Sequence, residues 1–264
     1  MPHELVIASA ACATVAFACW LLSIVTREYS WVDRLWSIVP IGYVAYFAVA
    51  SGYRPRAVLI AVLVAVWGAR LTFNFARKGG YARGGEDYRW AVLRARMPPA
   101  AYQVFNVLFI AGYQNLLLLL ISAPAFVASQ STRPLGAVDG ALTLGFLGCT
   151  LGELVADQQQ WDFHQAKAAR KARGEAGPDF NAAGLWRYSR HPNFFFEQAQ
   201  WWVLVAFAAT STGVWLQPSA IGAVLLTLLF FGSTRFTEEL TLQKYPSYAS
   251  YQRQTPMWGW WRWS

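Results

Sequence analysis

Seven times along this chain a run of about twenty residues passes with few charged side chains, the length an α-helix needs to cross the roughly 30 Å hydrocarbon core of a bilayer. The runs fall at 5–26, 35–51, 56–75, 104–128, 136–157, 195–216 and 219–237. In lipid no water satisfies the backbone, so runs of this length commit the chain to helices whose hydrogen bonds close internally. The expected fold is therefore all-α: a polytopic membrane protein of about seven transmembrane helices, its 264 residues forming a single membrane domain. Composition agrees, with 56% of residues hydrophobic and only 14% charged, against about a quarter charged in a typical soluble domain. The first run is longer than the roughly 7 to 15 residues of a signal-peptide core and no Lys or Arg precedes it, so it is expected to be a retained helix.

Charge then orients the helices. With the N-terminus outside, every one of the 22 Lys and Arg residues except Arg54, Arg56 and Arg133 falls on segments that alternation places in the cytoplasm, as the positive-inside rule requires. The net charge of +8 is thus a sided charge, suited to anionic membrane lipids. It also places the C-terminus in the cytoplasm, with the terminal WGWWRWS at the interface and Arg262 reaching phosphates. No nucleic-acid partner is expected, since nothing resembles a groove-reading module. Cys12, Cys19 and Cys149 sit in apolar runs without CxxC spacing and the three histidines lack ligand spacing, so neither a disulfide framework nor a metal site is expected. The chain has no GxGxxG, GxxxxGK[ST] or GxSxG, which leaves Rossmann, Walker and hydrolase readings without support. The stretch KAARKARGEAGPD, beginning at Lys167, reads as a helical extension stopped by Gly174, with a turn at Gly177-Pro178.

Polar residues at membrane depth are costly and therefore informative. Glu153, Asp157 and His164 are four and seven residues apart, on one helical face. Asn193, Glu197 and Gln200 repeat that pattern within and after SRHPNFFFEQ at 189–198, beside Trp201. An interfacial aromatic belt accounts for Trp201 and Trp202 but not for Glu197, whose charge needs a partner. Arg235 lies three and four residues before Glu238 and Glu239, the spacing of a local helical ion pair.

The run GLWRYSRHPNF at 184–194 followed by Glu197 resembles the C-terminal signature of the steroid 5-alpha-reductase family, and more closely its bacterial-type branch. WGARLTFNFARKGGYARGGEDYRW at 67–90, VADQQQWDF at 155–163 and EELTLQKYPSYASYQRQTP at 238–256 extend the resemblance over most of the chain. The resemblance implies a seven-helix enzyme holding NADPH in a cytoplasm-facing cavity and reducing a carbon–carbon double bond conjugated to a carbonyl, in a lipid-like or steroid-like substrate. By position, Asn193 and Glu197 would hold the nicotinamide end; Tyr188, Arg190 and His191 would border the dinucleotide; Asp157 would bind it from the fifth helix. Arg70, Arg77, Lys78 and Arg83 would face the pyrophosphate and 2′-phosphate, where arginine gives bidentate recognition.

Two departures from the pattern stand out. Steroid-reducing members use a Glu on the second helix and a Tyr on the third, where this sequence has Ile38, Val39, Pro40 and Trp67. Asp33, Tyr43, Tyr46 and Tyr113 are possible substitutes, so the candidate catalytic groups are Glu197, Asp33 and Tyr113. The second departure is Phe196, where the family usually has Gly. The RHPN motif, the Glu-Glu pair and the Tyr-x-x-Tyr tail are also similar to S-adenosylmethionine-dependent membrane methyltransferases acting on isoprenylcysteine or phospholipids. A non-catalytic lipid-binding membrane protein is the third reading open at this point.

Overall fold

The computed structural model describes residues 2–259, so of WGWWRWS only Trp258 and Gly259 are included. Helices follow one another in the order α1 (His3–Thr26), α2 (Trp31–Leu35), α3 (Val39–Ala50), α4 (Pro55–Arg77), α5 (Tyr88–Arg96) and α6 (Pro99–Phe105). A π-helical segment (Asn106–Tyr113) then leads into α7 (Gln114–Ser129), followed by α8 (Ala137–Ala172), α9 (Pro192–Thr212), α10 (Ile221–Lys244) and α11 (Tyr248–Gln254). No strand occurs among the described residues.

Five stretches are long and apolar enough to cross a membrane: α1, α4, the continuous helix Pro99–Ser129, α8, and Pro218–Lys244. The other two expected spans differ for legible reasons. Pro40 has no N–H and fits only in a first turn, so the second run becomes helical at Val39 instead of residue 35 and gives a helix of 12 residues. At 1.5 Å per residue that is about 18 Å, short of a 30 Å core. α9 has 21 residues, but its first turns carry Glu197, Gln198 and Gln200.

Contacts divide the chain into two compact units, one comprising the N-terminal stretch through Thr143 with Trp202–Leu226, the other Leu144–Trp201 with the chain from Thr227 onward. In the first unit α4 buries Ile60, Leu63, Val64 and Trp67 along one face, spaced three, four and seven residues apart. That face packs with α3 and α7, which contribute Val44, Phe47, Leu117, Leu118 and Ile121 to the core. The opposite face exposes Val58, Val62 and Val66, as expected of a helix whose outer solvent is lipid. α1 touches its neighbours through a narrow stripe of small residues, Ala8, Cys12, Cys19 and Ser23. Arg56 closes the far end of this unit: its Nε and one terminal nitrogen donate to the two carboxylate oxygens of Asp139 at 2.7 and 2.9 Å, and the guanidinium also donates to Ser131 Oγ and to the Arg133 and Pro134 carbonyls.

In the second unit the basic linker is helical, as its composition predicts. α8 runs to Ala172 and stops at Gly174, whose φ of +70° closes a Schellman motif: Gly174 N–H donates to Lys171 O at 3.2 Å and Glu175 N–H to Arg170 O at 3.0 Å.

Candidate functional site

The turn that begins with SRHP is built in the second unit by long-range hydrogen bonds. A short 3-10 turn, Gly184–Arg187, precedes it, and Pro192 opens α9, where the missing N–H costs nothing. Trp186 Nε1 donates to Ala156 O at 3.1 Å and Leu185 N–H to Gln159 Oε1 at 2.9 Å, which fastens the turn to α8. Its other side is held by the chain just beyond α11: Arg190 and His191 donate their backbone N–H groups to Pro256 O and Met257 O at 2.9 and 3.1 Å.

At the centre of this arrangement lies Glu238 of α10. Arg190 Nε and one terminal nitrogen donate to its two oxygens at 2.6 and 3.1 Å, Gln252 Nε2 donates at 2.8 Å, Tyr248 Oη at 3.3 Å, and His191 Nε2 lies 3.0 Å away. Arg190 also donates to the carbonyls of Gln252 and Thr255, so its donors are largely committed inside the protein. Burial pushes the Tyr248 and Tyr251 phenols above their ordinary range, keeping both as neutral donors; Tyr251 Oη donates to Trp186 O. The local pair expected between Arg235 and Glu238 is therefore corrected. Arg235 instead lies over the Phe231 ring at 5.4 Å, and Glu238 takes a bidentate partner 48 residues away, because a buried carboxylate is better satisfied by a fork of donors than by one exposed neighbour.

Beside this hub, α8 and α9 present the polar stripes that their spacing predicts. Glu153, Asp157, Glu197 and Gln200 are all buried, whereas His164, farther along α8, is exposed and meets Gln160 Nε2 at 3.2 Å. Thr150 Oγ1 donates to Gln200 Oε1 at 3.2 Å. Asn193 Nδ2 approaches Asp157 Oδ1 at 3.5 Å, while Asn193 Oδ1 is buried with no donor to satisfy it. A buried acceptor of this kind calls for a donor. Phe196, the departure from the family pattern, is accommodated on α8: a Cβ on Gly152 would lie 2.6 Å from the Phe196 ring, so the space the ring needs is supplied by that glycine. Tyr188 is exposed next to the turn.

The basic loop belongs to the first unit. Arg77 Nε and a terminal nitrogen both donate to Asn74 Oδ1, at 3.0 and 2.8 Å. Arg70 is half-buried, and Lys78 and Arg83 are exposed. The loop's shape comes from two residues that sequence reasoning missed. Arg34 donates to Gly80 O and Ala82 O and pairs with Glu28 at 2.6 Å, and Glu28 accepts from Gly84 N–H at 2.8 Å. These contacts hold the Glu28 carboxyl below the usual carboxylate range, the Gly84 bond foremost and Arg34 next. Nothing in the order of the sequence signals a pairing across more than fifty residues.

Of the candidate proton donors in this unit, Asp33 accepts from Trp90 Nε1 at 2.7 Å. Burial, reinforced by nearby Asp87, holds its carboxyl above the usual carboxylate range, so it keeps its proton to higher pH. Tyr113 ends the π-helical segment and donates to Leu225 O at 3.2 Å. Trp67, at the place of the family's tyrosine, is wholly buried in the core.

Residues 19–255 match the family described as "Protein of unknown function (DUF1295)". This chain belongs to that family. It is also 38% identical over 250 residues to the uncharacterized protein C594.04c of Schizosaccharomyces pombe, covering 88% of this chain and 73% of the relative. No solved structure matches it.

Proposed function

We propose that this protein is a membrane-embedded, NADPH-dependent reductase of the wider steroid 5-alpha-reductase superfamily. Its substrate would be a lipid-like or steroid-like molecule with a carbon–carbon double bond conjugated to a carbonyl. The observation that carries the reading is Asn193 Oδ1, a buried acceptor lacking a donor, one helical turn from buried Glu197 and 3.5 Å through its own amide from buried Asp157. A nicotinamide carboxamide offers both a donor and an acceptor; Asn193 complements either, and Glu197 accepts from the amide NH2. The residues present therefore suit the nicotinamide end. Bound NADPH supplies the hydride, and the protein's part is orientation and charge.

In this reading Asp157, Asn193 and Glu197 bind the ring amide. The resemblance assigns the phosphates to Arg70, Arg77, Lys78 and Arg83. Arg190 and His191 act as positioning residues, fixing through Glu238 the turn from which α9 and Asn193 start. Glu197, on the same face as Asn193, is the candidate catalytic group of this unit. The acid that delivers a proton to the substrate is Asp33 or Tyr113, of which Asp33 is favoured by the upward shift that burial gives it.

The test is thermal unfolding of the full chain in neutral detergent with NADPH, NADH or S-adenosylmethionine. A cofactor at about 100 times its dissociation constant adds about 2.7 kcal/mol to the native state. A rise with NADPH is expected. A rise with S-adenosylmethionine alone would make the protein a methyltransferase, and no rise with any of the three would favour a non-catalytic lipid-binding role.

A further inference from the structure

A groove of about 870 Å³ opens on the first unit at the C-terminal end of α1 and the start of the long helix Pro99–Ser129. Its walls are aliphatic, formed by Ile24, Val104, Val107 and Leu108, and all four are exposed although they lie in helices apolar enough to span a membrane. Lipid is the solvent for such side chains. The groove is also lined by two arginines, Arg27 just past the end of α1 and Arg94 in the last turn of α5.

These arginines are not neutralised. Neither forms an ion pair with a carboxylate among the described residues, and the acidic groups nearest in sequence are committed elsewhere, Asp87 among them, which pairs with Arg89 at 2.6 Å. Glu28 serves Arg34 and Gly84 N–H, and Glu86 accepts from Tyr29 N–H. Arg94 is instead set over the Tyr29 ring at 5.6 Å, and Tyr29 is fixed by Gln103 Nε2 donating to its hydroxyl at 3.1 Å. Trp20, one turn before Ile24, adds an amphipathic ring of the kind that settles at headgroup level. Aliphatic walls with two unpaired guanidiniums at the helix ends complement a molecule that is apolar along its length and anionic at its head.

We propose that this groove is a binding site for an anionic phospholipid, one acyl chain lying along Val104, Val107 and Leu108 and the phosphate engaged by Arg27 and Arg94. The inference does not rest on the reductase reading, since it uses none of the residues assigned to NADPH or substrate. Charge-assisted hydrogen bonds to a phosphate contribute about 1.5–3 kcal/mol each, so losing one arginine weakens binding roughly tenfold to a hundredfold.

The experiment is native mass spectrometry of the intact chain in neutral detergent, titrated with phosphatidylglycerol or phosphatidylcholine. Phosphatidylglycerol should bind with clear preference, Arg27→Gln and Arg94→Gln should each weaken it about tenfold or more, and Arg133→Gln, of equal charge change, should leave it unaltered. Val107→Trp, which fills the groove without touching its charge, should weaken it as well. Equal binding of the two lipids, undiminished binding in the arginine variants or in Val107→Trp, or displacement of phosphatidylglycerol by millimolar inorganic phosphate would overturn the proposal, the last by showing a site for a free anion.

Discussion

Glu238→Ala separates two roles for Arg190 and His191, one in the architecture and one against a ligand. In the native protein the Glu238 carboxylate accepts from Arg190 Nε and one terminal nitrogen at 2.6 and 3.1 Å, from Gln252 and from Tyr248, with His191 at 3.0 Å. The side chains of Arg190 and Glu238 are only 10% and 6% exposed. Removing one partner of a buried pair strands the other charge and costs about 3–5 kcal/mol. At roughly 2–4 °C per kcal/mol for a chain of this size class, the apparent melting temperature in detergent should fall by about 6–20 °C. Glu238→Gln, which keeps one acceptor oxygen, should fall by less, and Arg190→Lys should lose most of the bidentate geometry. In the Arg190→Met, Glu238→Leu double variant the two losses should not add, because no charge is left unpaired. The loss should appear without any ligand and be at least as large with NADPH, because the same hub fixes the turn from which Asn193 and Glu197 start. If Glu238→Ala melts within about 2 °C of the parent, equivalent to under roughly 1 kcal/mol, and the NADPH-dependent rise vanishes instead, then Arg190 and His191 contact the cofactor and the architectural reading is wrong.

Asn193→Ala and Glu197→Gln should unfold at temperatures close to the parent's without ligand, yet bind NADPH roughly tenfold to a hundredfold more weakly by calorimetry; a fall in thermal stability that is equal with and without NADPH would make them structural. Arg77→Ala and Arg83→Ala should weaken NADPH far more than NADH, and equal losses would leave these residues a role in topology or lipid contact alone. With Cys12, Cys19 and Cys149 replaced, cysteines at Ala82 and Ala176 should resist membrane-impermeant reagents in intact cells and react after lysis. Labelling from outside would reverse the assigned sidedness.

What the sequence discloses here is what repeats at helical period or acts locally. Glu153 with Asp157, and Asn193 with Glu197, are pairs whose common faces follow from spacing alone; Glu153, Asp157 and Glu197 are buried and Asn193 is half-buried with its Oδ1 inside. The stop at Gly174 and the late start of α3 at Val39 follow from single residues, a glycine with positive φ and Pro40. Pairings between distant segments are a different matter. Arg235 and Glu238 have the right separation for a local pair, and only the folded chain shows that four donors from the SRHP turn and α11 converge on Glu238 instead. Likewise the spacing of polar residues did not show that Asp33 is taken up by Trp90, 57 residues on. The π-helical turns at Asn106–Tyr113 lie in a run that reads as ordinary apolar helix and carry no mark in composition.

The hub also has a direction in time. A chain is made from its N-terminus and its parts fold in that order, so Arg190 is synthesised 48 residues before Glu238 and 65 before the Thr255 carbonyl that completes its set of acceptors. Until then a cationic turn stands at the head of α9 without the groups that neutralise it, and the polar face carrying Asn193 and Glu197 has no fixed starting point. Each newly made molecule thus passes through an interval in which its helices already exist but the turn that starts α9 is not yet held, and that interval ends only when the stretch of chain at 252–257 arrives.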